Sequence, residues 1–284
     1  MQDVFGRSLA PLREKKLFLF DMDGTIYLGD RLFDGVSELL GLISARGGRY
    51  VFITNNSSRS VQDYVLKLHR LGLPFVTEAD FFTSTQATLM LLRERFGDRL
   101  LYVQGTRSFL RELSEGGLRV TEEYTDGAAG IVVGYDTELT AAKMETTCRM
   151  LTLHDLPYYA ANPDWVCPTE FGYVPDCGSM CRGYELATGK RPIFVGKPEP
   201  TMIEAVTQRL GYSQQDVLVI GDRLYTDIAS GRNAGVDTLC VLSGECTLDE
   251  VKAEETPPTY TAGSIRDLLR SLRDDEMDSR FTLK

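Results

Sequence analysis

The apolar residues of this chain form short runs that alternate with stretches of helical spacing. Leu17–Phe20 is a run of four apolar residues, as expected for a strand that is buried on both faces of a parallel sheet. In residues 34–46 the apolar positions recur every three to four residues, which predicts an amphipathic helix that ends before Gly47. A second apolar run lies at 50–53. This alternation of strand and helix predicts an α/β fold with a parallel sheet.

The alternation continues through the middle of the chain with a different chemical character. Helices are predicted at 85–96, 109–114 and 141–153, and strands at 100–103, 130–133 and 158–160. None of these strands is followed by paired acids or by a lone lysine. We therefore expect a second α/β domain at 84–190, inserted into a core domain that is formed by 1–83 and 191–284.

The last third of the chain returns to the pattern of the first. Strands are predicted at 192–195, 216–220 and 238–242, and helices at 60–71 in the first third and at 201–210 and 264–273 here. The polar segment 274–284 is expected to fray. The core domain would therefore be built from both ends of the chain.

Composition and charge narrow the class of partner. With 43% hydrophobic and 25% charged residues, the chain has the composition of a soluble globular protein. Its formal net charge of −10 argues against a nucleic acid or an anionic membrane as partner. No apolar stretch has the length of a signal peptide or membrane helix, and the six cysteines are scattered. We expect a cytoplasmic protein that acts on a small ligand.

Polar side chains follow four of the predicted strands. They are Asp21 and Asp23 after the first, Thr54, Asn55 and Asn56 after the second, Lys197 after 192–195, and Asp222 and Asp227 after 216–220. Each ending by itself is explained by a turn or a helix cap. However, ligands of open α/β sheets bind beyond the carboxyl ends of the strands. We therefore expect the four endings to lie in one sheet and to form one site.

The chemistry of this set is that of phosphoryl transfer, which needs a nucleophile and positive charge around the phosphate. Asp21 would attack phosphorus and form an aspartyl-phosphate. Asp23 would protonate the leaving oxygen and then deprotonate a water molecule. Asp21 and Asp222 would hold Mg²⁺, because clustered carboxylates are unfavourable without a cation. Thr54 and its neighbours would bind phosphate oxygens, and Lys197 would neutralise them.

These segments resemble the four ordered motifs of the haloacid-dehalogenase superfamily. The motifs are Asp21-Met22-Asp23-Gly24-Thr25, Thr54-Asn55-Asn56-Ser57-Ser58, Gly196-Lys197-Pro198 and Gly221-Asp222-x4-Asp227. The long insert, with Ala161-Asn162-Pro163-Asp164 in it, resembles the NagD-like, nitrophenyl-phosphatase branch. The resemblance implies a Rossmann-like core that carries an α/β cap of the second type. It also implies that the backbone carbonyl of Asp23 binds Mg²⁺ and that Asp227 lies beside the metal ligands.

Within the superfamily, the acid at position 23 favours a phosphatase. Dehalogenases typically lack this aspartate, transport ATPases carry threonine there, and mutases usually have a helical cap. The resemblance further implies that a cap loop with Asp164, Trp165 and Cys167 reaches over the catalytic site and helps to select the substrate. From the sequence, Trp165 either faces the substrate or packs in the core.

We therefore expect a Mg²⁺-dependent phosphomonoester hydrolase that acts on a small phosphorylated metabolite. The expected substrates are a sugar phosphate, a nucleoside monophosphate or an aryl phosphate. One alternative is a phosphotransferase that passes the phosphoryl group to a sugar hydroxyl. Another is a phosphate-binding regulatory protein without turnover, against which the joint presence of Asp21, Asp23, Lys197 and Asp222 argues. The family often dimerises through the cap, and the oligomeric state is left open.

Overall fold

The computed structural model describes residues 1–169 and 171–273, so the expected fraying of 274–284 lies outside the described residues. The chain forms two compact units. The first unit comprises Met1–Ile53, Leu68–Asp80 and Ile203–Lys284, and the second comprises Thr54–Lys67 and Phe81–Met202. The division into domains that was expected from the sequence stays a prediction.

Strands and helices alternate along the described chain. The strands are β1 (Leu17–Phe20), β2 (Tyr27–Leu28), β3 (Arg31–Leu32), β4 (Arg49–Thr54), β5 (Phe81–Thr83), β6 (Leu100–Gln104), β7 (Arg119–Thr121), β8 (Ile131–Val133), β9 (Tyr158–Ala160), β10 (Val166–Thr169), β11 (Gly172–Pro175), β12 (Ile193–Phe194), β13 (Val217–Gly221), β14 (Asp237–Val241) and β15 (Tyr260–Ala262). The helices are α1 (Val36–Ala45), α2 (Val61–Arg70), α3 (Ser84–Phe96), α4 (Arg107–Glu115), α5 (Ala141–Leu153), α6 (Cys177–Thr188), α7 (Thr201–Leu210), α8 (Ala229–Asn233), α9 (Leu248–Ala253) and α10 (Ile265–Leu272). None of the described helices is long and apolar enough to cross a membrane.

A parallel sheet organises the first unit, with the strand order β15-β14-β13-β1-β4 within it. Phe20, the last residue of β1, pairs with Ile220 of β13 and with Phe52 of β4. The apolar runs of β1 and β13 are fully buried, which explains why they lack alternation. Because parallel strands end at the same edge, Asp21 and Asp222 leave the sheet side by side. The predicted α/β fold is confirmed.

Helix α10 shows how the amphipathic pattern becomes packing in the first unit. Its residues Ile265, Leu268, Leu269 and Leu272 are buried, as a helical stripe requires. Ser264 and Asp267 form a reciprocal capping box at its start. The predicted helix at 264–273 is therefore confirmed, with one residue less at each end.

The second unit has its own parallel sheet, with the order β12-β9-β8-β6-β7. An antiparallel hairpin, β10–β11, follows the sheet strand β9 along the chain. Helix α6 was not predicted, because its glycines and serine weaken the apolar pattern; Asp176 caps its first N–H group. Its buried residues Cys177, Cys181 and Tyr184 lie at helical spacing. An α/β unit in the middle of the chain is thus present.

One expectation about the sheets is wrong. The strand before Lys197 is β12, and it pairs with β9 in the second unit: Ile193 with Tyr159 and Phe194 with Ala160. The four strand endings therefore do not belong to one sheet. Strand β12 has only two residues, and so short an apolar run does not specify which parallel sheet it joins.

Candidate active site

Three carboxylates lie together in the first unit, among the residues that the structure describes. Asp21 follows β1, Asp222 follows β13, and Asp227 lies in a π-helical turn, Leu224–Ile228. One oxygen of each lies within 4.8 Å of the others. Such oxygen ligands suit Mg²⁺, so the donor set fits the expected ion. Asp227 was expected to lie beside the metal ligands, and one of its oxygens lies as close to Asp21 and Asp222 as a further ligand would.

The electrostatics of this cluster favour a bound cation. Asp222 and Asp227 are 2% and 0% exposed. Burial and, to a smaller extent, the negative charge of Asp227 raise the pKa of the Asp222 carboxyl to about 7. The N–H of Glu245, which donates to Asp222 Oδ2 at 2.7 Å, lowers the pKa and offsets part of this rise. Near neutral pH, the cluster therefore needs a proton or a cation to offset its charge.

Two glycines allow Asp222 to sit in the cluster. Gly24 has a φ of +89°, and a Cβ atom there would lie 2.3 Å from Asp222 Oδ2. A Cβ atom at Gly244 would lie 2.0 Å from the same oxygen. Any larger residue would displace the carboxylate, so the glycine of the Asp-x-Asp-Gly motif has a steric role beyond forming a turn.

Asp23 is placed differently from the acids of this cluster. It is half-buried, and its Oδ2 accepts a hydrogen bond from the hydroxyl of Tyr27 at 3.2 Å. It is not part of the group of acids that could share an ion. A carboxyl group that is reachable and oriented by one hydroxyl suits proton transfer rather than metal binding by the side chain.

In the second unit, the predicted phosphate-binding loop is held by its own side chains. Thr54 Oγ1 accepts the N–H of Asn56 at 3.2 Å, and Asn56 Oδ1 accepts the N–H of Ser58 at 3.0 Å. Side-chain bonds of this kind shape turns ahead of a helix, here α2. The shaped loop is compatible with the phosphate contacts of Thr54 and Asn56, which stay a prediction.

Asn55 and Lys197, which were both predicted to bind phosphate, are bonded to each other. Asn55 Oδ1 accepts the N–H of Lys197 at 2.8 Å, and Asn55 Nδ2 donates to the carbonyl of Lys197 at 2.9 Å. Asn55 Nδ2 also donates to Asp164 Oδ1 at 3.0 Å. The amide of Asn55 therefore binds protein groups on both sides, and its predicted contact with phosphate stays untested.

The three residues of the predicted specificity loop, Asp164, Trp165 and Cys167, differ in their exposure to solvent. Asp164 is 4% exposed, whereas Trp165 is 54% exposed. The backbone carbonyl of Trp165 accepts a hydrogen bond from the N–H of Asp176 at 3.0 Å. This hydrogen bond fixes the backbone that carries the exposed indole. Cys167 is half-buried, with its sulfur 4.0 Å from Asn56 Nδ2. Trp165 therefore does not pack in the core, and its contact with a substrate stays a prediction.

Comparison with known proteins assigns the family. Residues 18–119 match the family profile described as haloacid dehalogenase-like hydrolase, and residues 194–268 match the profile described as HAD-hydrolase-like. The acid sugar phosphatase of Staphylococcus saprophyticus is 30% identical over 263 residues, which cover 92% of this chain and 99% of that protein. The chain belongs to the haloacid dehalogenase-like hydrolase family. The family predicted from the four motifs is confirmed.

Solved structures agree with this assignment. The 4-nitrophenylphosphatase of Thermotoga maritima matches with a TM-score of 0.87 and 34% identity, over 93% of this chain and 99% of that one. The glycerol phosphate phosphatase of Mycobacterium tuberculosis, solved in complex with magnesium, matches with a TM-score of 0.85 and 30% identity, over 95% and 80% of the two chains. This haloacid dehalogenase-like hydrolase is a phosphatase.

Two groups at the acid cluster of this phosphatase were given no role in the sequence analysis. Thr25 Oγ1 donates to Asp222 Oδ1 at 3.3 Å, and Thr25 is fully buried. Ser243 Oγ donates to the carbonyl of Gly24 at 2.9 Å, in the loop that also carries Glu245. This loop follows β14, whose carboxyl end lies at the same edge of the sheet. Applying the strand-end rule to β14 as well would have found it.

Proposed function

We propose that this phosphatase is a Mg²⁺-dependent phosphomonoester hydrolase that works through an aspartyl-phosphate on small phosphorylated metabolites. The observation that carries the proposal is the cluster of Asp21, Asp222 and Asp227, with Asp23 two residues beyond Asp21. The cluster supplies a nucleophile beside a place for a cation. Asp23 supplies a separate carboxyl group whose side chain lies outside this cluster and is available for proton transfer.

In the first step, a carboxylate oxygen of Asp21 attacks phosphorus, and the bond between phosphorus and the ester oxygen breaks. Asp23 gives its proton to the leaving oxygen, so an alcohol departs. In the second step, Asp23, now a carboxylate, takes a proton from water. The resulting hydroxide attacks the phosphorus of the aspartyl-phosphate, which releases inorganic phosphate and returns both acids to their starting states.

Asp21, Asp222 and Asp227 would hold Mg²⁺, together with the backbone carbonyl of Asp23 that the family resemblance implies. When bound, the ion neutralises charge on the phosphate oxygens. Thr25 and the N–H of Glu245 keep Asp222 in its orientation through hydrogen bonds to its two oxygens.

We assign Thr54, Asn56 and Lys197 to the phosphate oxygens on the strength of the family resemblance. The substrate class is a sugar phosphate, a nucleoside monophosphate or an aryl phosphate, and this range is supported by relatives named acid sugar phosphatase, 5'-nucleotidase and 4-nitrophenylphosphatase. A cytoplasmic location, which rests on the sequence, is a further proposal. So is a homodimer formed through the inserted domain at 84–190, which the family resemblance implies.

A phosphate-release assay tests the proposed function. We expect the purified protein with Mg²⁺ to release phosphate from several esters of this range. With a sugar added as acceptor, the amounts of phosphate and alcohol should stay equal, because water remains the acceptor. Alcohol in excess of phosphate would favour the phosphotransferase. Binding of the esters without any product would favour the regulatory protein and contradict the proposal.

Substrate selection should depend on Trp165, because groups that bind phosphate and metal do not distinguish one ester from another. We expect Trp165→Ala to change the ratio of kcat/KM between large and small leaving groups by about tenfold or more. Leu186→Ala, which shortens another exposed apolar side chain of the second unit, is the control and should leave the ratio unchanged. An equal loss on every ester would show that Trp165 is structural.

A further inference from the structure

The backbone of Lys197 is held by a single side chain from a distant part of the sequence. The side chain of Asn55 accepts a hydrogen bond from the N–H of Lys197 at 2.8 Å and donates one to its carbonyl at 2.9 Å. The two residues are 142 positions apart in the sequence. Two bonds from one planar amide fix both the position and the rotation of that stretch of backbone. A Cβ atom at Gly196 would lie 2.4 Å from Asn55 Oδ1, so a glycine before the lysine is required for this approach.

The orientation of the Asn55 amide is itself determined by its neighbours. The two ends of an asparagine amide have nearly the same shape, and a flipped amide would present the wrong group to each partner. Asp164 opposes the flip as well, because its Oδ1 accepts a hydrogen bond from Asn55 Nδ2 at 3.0 Å, and the amide oxygen in that place could not donate. The backbone carbonyl of Asn55 is bonded in turn by Asn162 Nδ2 at 2.7 Å and by Ser84 Oγ at 2.6 Å.

Asp164 is held as firmly as the residue it orients. Its N–H donates to Asn162 Oδ1 at 3.0 Å, and its carbonyl accepts the N–H of Gly178 at 2.9 Å, at the start of α6. Asn55, Asn162, Asp164 and Lys197 are 4%, 0%, 4% and 2% exposed. At such burial, water does not replace a lost partner, so each bond constrains the next.

We infer that Asn55, Asn162 and Asp164 are positioning residues that act through Lys197. They fix the backbone from which the long lysine side chain extends, and so reduce the freedom that its ammonium group loses on meeting phosphate. The inference rests on the proposed role of Lys197 in binding phosphate. It gives Asp164 a different task from the substrate selection expected from the sequence, and it gives Asn55 a task other than direct contact with phosphate.

The test is a double-mutant cycle between positions 164 and 197, measured as the dissociation constant of inorganic phosphate by calorimetry at saturating Mg²⁺. We expect Asp164→Ala to weaken phosphate binding about tenfold, the effect of losing one buried hydrogen bond. With Lys197→Ala already present, Asp164→Ala should cause little further loss, since its effect passes through the lysine. Asp164→Asn keeps an acceptor oxygen and should lose less.

The matched control is Asp136→Ala, which removes another buried aspartate of the second unit, one that pairs with Lys143 at 3.1 Å. Any effect of this change should be the same with and without Lys197. If the double variant weakens phosphate binding by the product of the two single effects, positions 164 and 197 act independently and the inference is overturned. Normal phosphate binding by Asp164→Ala would also overturn it. In both cases the proposed function stands. If Lys197→Ala itself binds phosphate normally, the proposed role of the lysine is overturned, and the inference with it. Should Asp164→Ala not fold, the cycle is run with Asp164→Asn, and a multiplying loss again overturns the inference.

Discussion

Asp21→Asn should abolish phosphate release and leave no covalent phosphoenzyme, whereas Asp23→Asn should retain slow turnover. The amide of asparagine is a poor nucleophile, so the first step is lost completely in the first variant. Asp23→Asn removes a proton donor and acceptor, which we expect to cost about 10²–10⁴-fold in kcat. The measurement is the rate of phosphate release, together with trapping of the phosphoenzyme after rapid acid quenching.

The nature of the leaving group separates the two roles. The leaving group of an aryl phosphate is a stabilised phenolate, which needs little protonation. The kcat of Asp23→Asn should therefore fall less on aryl than on alkyl esters. Asp30→Asn, which changes an exposed acid of the same unit, is the control and should be near wild type. Equal losses of Asp23→Asn on both kinds of ester would exclude Asp23 as the acid.

Removal of divalent metal should abolish phosphate release, and added Mg²⁺ should restore it. The reason is the proximity of Asp21, Asp222 and Asp227, whose oxygens lie within 4.8 Å of one another. The test is phosphate release after treatment with EDTA, followed by titration with Mg²⁺. Full activity in the chelated protein would contradict the proposed metal site.

The metal-free protein should also become less stable as pH rises from about 4 to about 7. The pKa of Asp222 is raised from 3.8 to about 7 by burial, so in this range the folded state binds a proton that the unfolded state has released. The free energy of unfolding therefore falls as the pH increases through this window. Mg²⁺ replaces the proton, so it should raise Tm more at pH 8 than at pH 5.

Thermal unfolding at several pH values, with and without Mg²⁺, measures this coupling. Asp222→Asn is the control, since an amide in the same place binds neither a proton nor the ion strongly. We expect this variant to show a smaller dependence of Tm on pH and a smaller response to Mg²⁺. The same pH dependence in both proteins would show that other groups cause it.

The acid cluster of the first unit could be largely predicted from the sequence. Strands β1 and β13 are continuous apolar runs, and such runs are specific enough to place both strands in a parallel sheet. The acids that follow them must then emerge at one edge. How closely Asp227 approaches Asp21 and Asp222 could not be predicted, because its position depends on a π-helical turn that the spacing of residues does not reveal.

The sequence by itself determined the family, the α/β fold and the identity of the acids, because motifs and apolar periodicity are local properties. Only the tertiary structure decided that Lys197 follows a strand of the second sheet, and that Asn55 and Asp164 bind protein groups. An asparagine that binds phosphate and one that positions a lysine are the same residue in a sequence. Its role depends on partners 109 and 142 residues away, and only folding brings those partners within hydrogen-bonding distance.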